Sequence, residues 1–295
     1  MPTPPERYSV EHETRYAYTA PVSQSWQLAR LTPRTLPWQT LLSHALQIDP
    51  PPDERRDELD SFGNRVTHFA VHGAHRLLRV HMACRVEVGE RPAVEVAGAA
   101  GWESVVEAIR REPQQDDLSP AGLCEPTPLV PYSEGARRYA SPSFGRDRPW
   151  FEAVHELMQR IHADFEFEPG ATTVSTSVDE VLYQKRGVCQ DFAHLMLACL
   201  RSFSLPARYV SGYLLTDPPP GRPRLMGVDA SHAWVAAYAP QHGWVEFDPT
   251  NNQLADPRHI TLAWGADFAD VVPLRGVILG GGEQHMDVEV SVMPA

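Results

Sequence analysis

Apolar and polar residues alternate with period two through several segments of the first ninety residues, the pattern of strands with one face buried. The clearest runs through Leu78, Val80, Met82, Cys84, Val86 and Val88, against Arg79, His81, Arg85 and Glu87. Similar alternation runs from Tyr8 to Tyr18 and from Leu42 to Ile48, and Phe62-Gly63-Asn64 signals a turn. Half-buried antiparallel sheets of this kind pack as a β-sandwich. Met286, Val288, Val290 and Val292 alternate in the same way, so a last strand completes a sheet after a Gly280-Gly281-Gly282 turn.

The second half has mixed periodicity. A helix is predicted over Trp150 to Asp164, then a Thr/Ser-rich loop, then a longer helix near Gly187 to Phe203 with apolar residues at 192, 195, 196, 199, 200 and 203. Three strands follow, over Arg208 to Leu215, His232 to Tyr238 and Trp244 to Phe247. Pro218-Pro219-Pro220-Gly221 separates the first two, and a tight turn from Pro240 to Gly243 joins the last two. Between the halves, a short helix from Trp102 to Arg111 is followed by seven prolines from Pro113 to Pro149, read as a stiff connector. The expected organisation is α+β: an N-terminal β-sandwich domain at 1–97, a Pro-rich connector at 98–149 and a core at 150–295.

The chain has 295 residues, a net charge of −12, and Lys185 as its only lysine. An acidic field repels phosphate backbones, so no nucleic-acid partner is expected, and no apolar run is long enough for a membrane helix. The N-terminus has neither a basic segment nor an apolar run, which implies a cytoplasmic protein. The four cysteines lack metal-ligand spacing. Cys189 and Cys199, on one helix, are too far apart for a disulfide. No EF-hand loop and no H-E-x-x-H motif occur, and His155 and His162 read as residues of a solvated helix face, so neither a metal nor a cofactor is expected.

Cys189 falls in the first turn of its helix, where free N–H groups and the helix dipole favour a thiolate, with Arg186 acting in the same direction. A hairpin about the Pro240 turn brings His232, at the start of one strand, and Asp248, at the end of the next, to the same end of a sheet. A thiol, an imidazole and a carboxylate in that arrangement match the nucleophile, base and orienter of a triad.

Arg186-Gly187-Val188-Cys189-Gln190-Asp191-Phe192-Ala193-His194, Pro206 to Tyr213, Ser231-His232-Ala233-Trp234-Val235 and Asp248-Pro249-Thr250-Asn251 resemble bacterial transglutaminase-like proteins of the papain-like superfamily. Tyr16-Ala17-Tyr18, Pro21-Val22, Leu31-Thr32-Pro33-Arg34 and Asp60 to Asn64 resemble the β-rich region that precedes the core in that family. The resemblance implies a thiol-proteinase core with Cys189 as nucleophile, His232 as base and Asp248 as orienter. Animal transglutaminases also hold the oxyanion with a tryptophan upstream of the cysteine, and no Trp lies between Trp150 and Cys189 here. The backbone N–H of Cys189 then needs a second donor, for which Gln184, Tyr183 and Gln190 are candidates. Gln184 is favoured, because papain-like peptidases place a glutamine shortly before the nucleophile. The expected function is thiol-dependent acyl transfer on peptide or protein amides, most simply as a cysteine peptidase or amidase. A true transglutaminase with an amine acceptor, and a non-catalytic binding protein retaining the fold, are the alternatives.

Overall fold

A computed structural model describes residues 4–94, 100–111, 119–216 and 231–295. In chain order the strands of the first part are β1 (Glu6–Ala29), β2 (Gln39–Asp49), β3 (Glu54–Leu59), β4 (Arg65–Val71) and β5 (His75–Val88). Next come α1 (Trp102–Arg111), α2 (Glu134–Ala140), α3 (Trp150–Asp164), β6 (Glu166–Phe167), α4 (Val178–Gln184), β7 (Arg186–Gly187) and α5 (Cys189–Ser202). The chain continues through β8 (Ala207–Leu214), β9 (Ser231–Ala239), β10 (Gly243–Asp248), β11 (Gln253–Leu254), β12 (His259–Gly265), β13 (Leu274–Gly280) and β14 (Gln284–Pro294). Among the described residues, no helix is long and apolar enough to cross a membrane.

The N-terminal unit is a single curled antiparallel sheet organised around the 24-residue β1. The first half of β1 lies between β5 and β14, and its second half between β4 and β13. The alternating residues Leu78, Val80, Met82, Cys84, Val86 and Val88 all point into its core. The two strands at 274–294 therefore belong to this sheet and not to the core at 150–295, because β1 offers a free edge on the side away from β5 and β4.

Residues 98–149 also differ from the expected extended connector. Val105, Val106 and Ile109 of α1, Ala136 and Ala140 of α2, and Val130 and Phe144 are buried in the same core as α5. The prolines lie between short helices, and Ser133 caps α2 by accepting the Ala136 N–H at 2.9 Å. Pro113, the boundary at 97 and the Pro218-Pro219-Pro220-Gly221 stretch lie outside the described residues.

The second sheet runs β11-β10-β9-β8-β12, all antiparallel. One face carries Ala207, Tyr209, Ala233, Val235, Ala237, Val245 and Phe247 onto α5, whose residues from Asp191 to Ser202 are all buried. At about 1.5–3 kcal/mol for each large apolar side chain buried, this packing fixes the helix and with it the position of Cys189.

The two units meet along β12. The Gln39 side-chain amide donates to the Thr261 carbonyl and accepts the Thr261 N–H, both at 2.8 Å. The Asn64 amide does the same at Trp264, at 2.8 and 3.0 Å. Two side chains of the N-terminal sheet thus supply the hydrogen bonds that a neighbouring strand would give the open edge of β12. Arg34 covers the Trp264 ring at 3.6 Å from its centroid.

Candidate active site

Gly187 and Asp191 shape the turn into α5. Val188 has no side-chain cap to offer, so Asp191 reaches back to accept the Val188 N–H at 2.7 Å and the Thr172 hydroxyl at 2.6 Å. A Cβ at Gly187 would lie 2.7 Å from the Asp191 carboxylate, so only glycine permits this capping. A two-residue parallel bridge between β6 and β7 pins the segment from outside. Cys189 begins the helix, half-buried at its N-terminus.

His232 and Asp248 reach the cysteine from the sheet. The β9–β10 register pairs Val235 with Phe247 and Ala239 with Gly243, which leaves His232 and Asp248 at the same end of the sheet. Beside His232 in β8 is Gly212, where a Cβ would fall 2.1 Å from the Ile260 carbonyl and 2.5 Å from the Trp234 ring. His232 Nε2 lies 2.8 Å from Asp248 Oδ2. A carboxylate can only accept, so Nε2 carries the proton. The ring's other partner is the Cys189 sulfur. Burial alone would lower the imidazole pKa, but hydrogen bonding and charge from Asp248 and Cys189 outweigh it and raise the value from 6.5 to about 10.

Asp248 is fully buried and held on both oxygens. Oδ1 accepts the backbone N–H groups of Thr250 and Asn251 at 2.9 and 3.2 Å. Oδ2 accepts His232, the Asn251 amide at 2.7 Å and His259 Nε2 at 3.1 Å. Burial would push the carboxyl up, yet the donors and charges of the two histidines hold it well below the usual carboxylate range. His259 and Asn251 are partners that the sequence reading did not single out; Asn251 stood within the quoted Asp248 to Asn251 motif, while His259 had no local signal.

The structure thus brings Cys189, His232 and Asp248 together. The oxyanion candidates are placed differently. Tyr183 is 89% exposed and Gln184 is exposed, both at the end of α4, while the Gln190 amide donates to the Val174 carbonyl at 3.5 Å. Arg186 is paired with Glu168 at 3.1 Å, so its charge is already matched. Burial pushes Cys84 and Cys124 up to about 12, and raises fully buried Cys199 as well. Cys84 and Cys199 are buried and Cys124 is half-buried. His162 Nδ1 meets the Thr250 carbonyl at 2.9 Å, and His155 stacks on Phe151.

Among the described residues, His232, Asp248 and His259 present donor atoms within 4.8 Å of one another, a set that could hold a metal ion. Both histidine Nε2 atoms are hydrogen-bonded to Asp248 Oδ2, so a cation would have to replace the two N–H protons that now satisfy Asp248.

Residues 8–87 match the bacterial transglutaminase-like N-terminal region, and residues 137–249 match the transglutaminase-like superfamily. An uncharacterized protein of Mycobacterium tuberculosis is 42% identical over 296 residues, covering 98% of this chain and 93% of the relative. The chain belongs to the transglutaminase-like superfamily. A crystal structure from Cytophaga hutchinsonii, described as that of a candidate cysteine protease, superposes with a TM-score of 0.77 at 19% identity, covering 100% of this chain and 92% of that one, and shows the shared fold. A protein-glutamine gamma-glutamyltransferase of Pseudomonas aeruginosa is 37% identical over 102 residues, 33% of this chain and 15% of its own length. The transglutaminase-like chain therefore has the α+β cysteine-enzyme fold of this superfamily, as the motifs implied.

Proposed function

We propose that this protein is a thiol acyl-transfer enzyme acting on peptide or protein amides, with Cys189 as nucleophile, His232 as general base and acid, and Asp248 as orienter. The observation that carries this reading is the single imidazole between a helix-terminal sulfur and a buried, fully hydrogen-bonded carboxylate. In the first step the Cys189 sulfur bonds to the amide carbon, the C–N bond breaks, and the His232 proton leaves with the amine. In the second step His232 takes a proton from the incoming acceptor, whose heteroatom displaces the thiolate from the thioester. The Cys189 backbone N–H, at the helix N-terminus, is one oxyanion donor; Gln184, Tyr183 or Gln190 supplies the second.

Water is the acceptor in this reading, which makes the protein a peptidase or amidase. The competing reading is a transglutaminase, favoured by the identity to the Pseudomonas aeruginosa gamma-glutamyltransferase. A peptide library incubated with and without a primary amine separates the two by mass spectrometry, since cleavage, deamidation and amine addition change mass differently. Absence of any Cys189-dependent mass change across the library would remove the enzymatic reading and leave a binding protein that keeps the fold.

A further inference from the structure

Asp248 serves two histidines. His259 heads β12, is fully buried, and places Nε2 3.1 Å from the same Oδ2 that holds His232. Its Nδ1 lies 2.9 Å from Asp256 Oδ1 and 3.2 Å from the Asp256 backbone nitrogen. Arg91, just beyond β5, donates to the Asp256 and His259 carbonyls at 2.5 and 3.0 Å and to Glu246 at 2.9 Å. The Trp234 ring packs edge-on against the imidazole at 5.3 Å. A buried imidazole with both nitrogens committed to carboxylates is costly to assemble, and an apolar side chain would fill the same space without that cost.

We propose that His259 is a positioning residue of the catalytic centre, holding the Asp248 carboxylate toward His232, and that Asp256 and Arg91 hold His259 in turn. This rests on the triad reading above. Rotation of Asp248 is opposed on Oδ1 by two backbone N–H groups of its own turn and on Oδ2 by His259, which belongs to a different strand. Because β12 is edged by Gln39 and Asn64 and its first residue is clamped by Arg91, the N-terminal unit is the frame on which this second histidine is mounted. That gives the N-terminal sheet a task in the chemistry.

The charged and titratable groups around the Asp256–His259 pair include Asp248 and Glu246 of β10, His232 of β9, Tyr8 of β1, Arg258 of the same turn and Arg91. The test is the pH dependence of Cys189 alkylation by iodoacetamide, read by peptide mapping in wild type, His259→Leu, His259→Gln and Asp256→Asn. Zinc content, kcat and KM are measured on the same proteins. If Asp248 is no longer held, the imidazolium that stabilises the thiolate weakens. His259→Leu is expected to raise the alkylation midpoint by about one pH unit and to lower kcat about 10-fold to 100-fold with KM little changed. His259→Gln, which keeps an N–H donor, is expected to recover most of both, and Asp256→Asn to move the midpoint part of the way. A merely structural role would lower the melting temperature while leaving the midpoint where it is, and that result overturns the proposal. Stoichiometric zinc in wild type that is lost in His259→Leu overturns it too, making the residue a metal ligand. Should His259→Leu not fold, Asp256→Asn decides alone, an unmoved midpoint counting against the proposal. The alkylation profile needs no substrate, so it stands apart from the enzymatic reading, which fails separately if Cys189→Ala keeps wild-type turnover.

Discussion

Replacing Asp248 by asparagine removes one charge and, through the surrounding donors, reverses a tautomer. The Thr250 and Asn251 N–H groups both point at Oδ1, so an asparagine carbonyl must occupy that side. Its NH2 then sits where Oδ2 was, facing His232 Nε2, His259 Nε2 and the Asn251 amide, none of which can accept while protonated. His232 relieves the clash by moving its proton to Nδ1, the nitrogen left for Cys189, and can then no longer take the thiol proton. The rise of the imidazole pKa from 6.5 to about 10 amounts to about 5 kcal/mol in favour of its charged form. Asp248 supplies part of what holds that form against burial, so loss of its charge weakens the base. The tautomer reversal adds to this, giving an expected fall in kcat of about 10³-fold to 10⁴-fold, the size known for the same replacement in serine-protease triads. The assay is kcat and KM on an amide substrate across pH 5 to 10, beside the rate of Cys189 alkylation at pH 7. A fall of less than about tenfold in both, with KM unchanged, would refute the assignment of Asp248 as orienter.

Peptide mapping after brief iodoacetamide treatment near pH 7 should find Cys189 modified well before Cys84 and Cys124, since a thiol held at about 12 is only about 10⁻⁵ thiolate at that pH. Cys189→Ala and His232→Ala should reduce kcat equally, and the double variant should be no worse than either, as kinetics of all three will show. A fluorescent primary amine in large excess over a glutamine peptide should be incorporated less than the peptide is hydrolysed; dominant incorporation would make the protein a transglutaminase in activity. The raised His232 pKa contributes stability that is fully present below 6.5 and is lost as pH rises through about 10, so thermal denaturation should show the melting temperature of wild type, relative to His232→Gln, declining across that interval.

Cys189, His232 and Asp248 were readable because each signal is local: a helix-period stripe beginning at the cysteine, and a tight hairpin that fixes which strand ends coincide. α3 at Trp150–Asp164 and β8, β9 and β10 were readable for the same reason. His259 was not, since its partners arrive from β10 and from beyond β5, and a lone histidine ahead of an apolar run has no period to betray it. Alternation through Met286 to Val292 marked a strand but not its partner. The long β1 that receives it is chosen by a free sheet edge, a property of the folded molecule. The proline count between 113 and 149 concealed α2 and the burial of Val130 and Phe144, because prolines between short helices and prolines in an extended strap have the same composition.

The antiparallel pairing of Tyr8 with Pro294 and of Tyr18 with Gln284 has a consequence for anyone wishing to dissect this molecule. The sheet that steadies β12 is closed by strands that leave the ribosome after the helix bearing Cys189 and the hairpin bearing His232 and Asp248, so the two units cannot mature one after the other. Excising 98–273 as a minimal enzyme would leave β12 without its amide edging, and residues 1–97 alone would leave β1 without β13 and β14. The practical unit of engineering is the whole chain, and a permuted version that joins β14 directly to β1 is the rearrangement most compatible with its wiring.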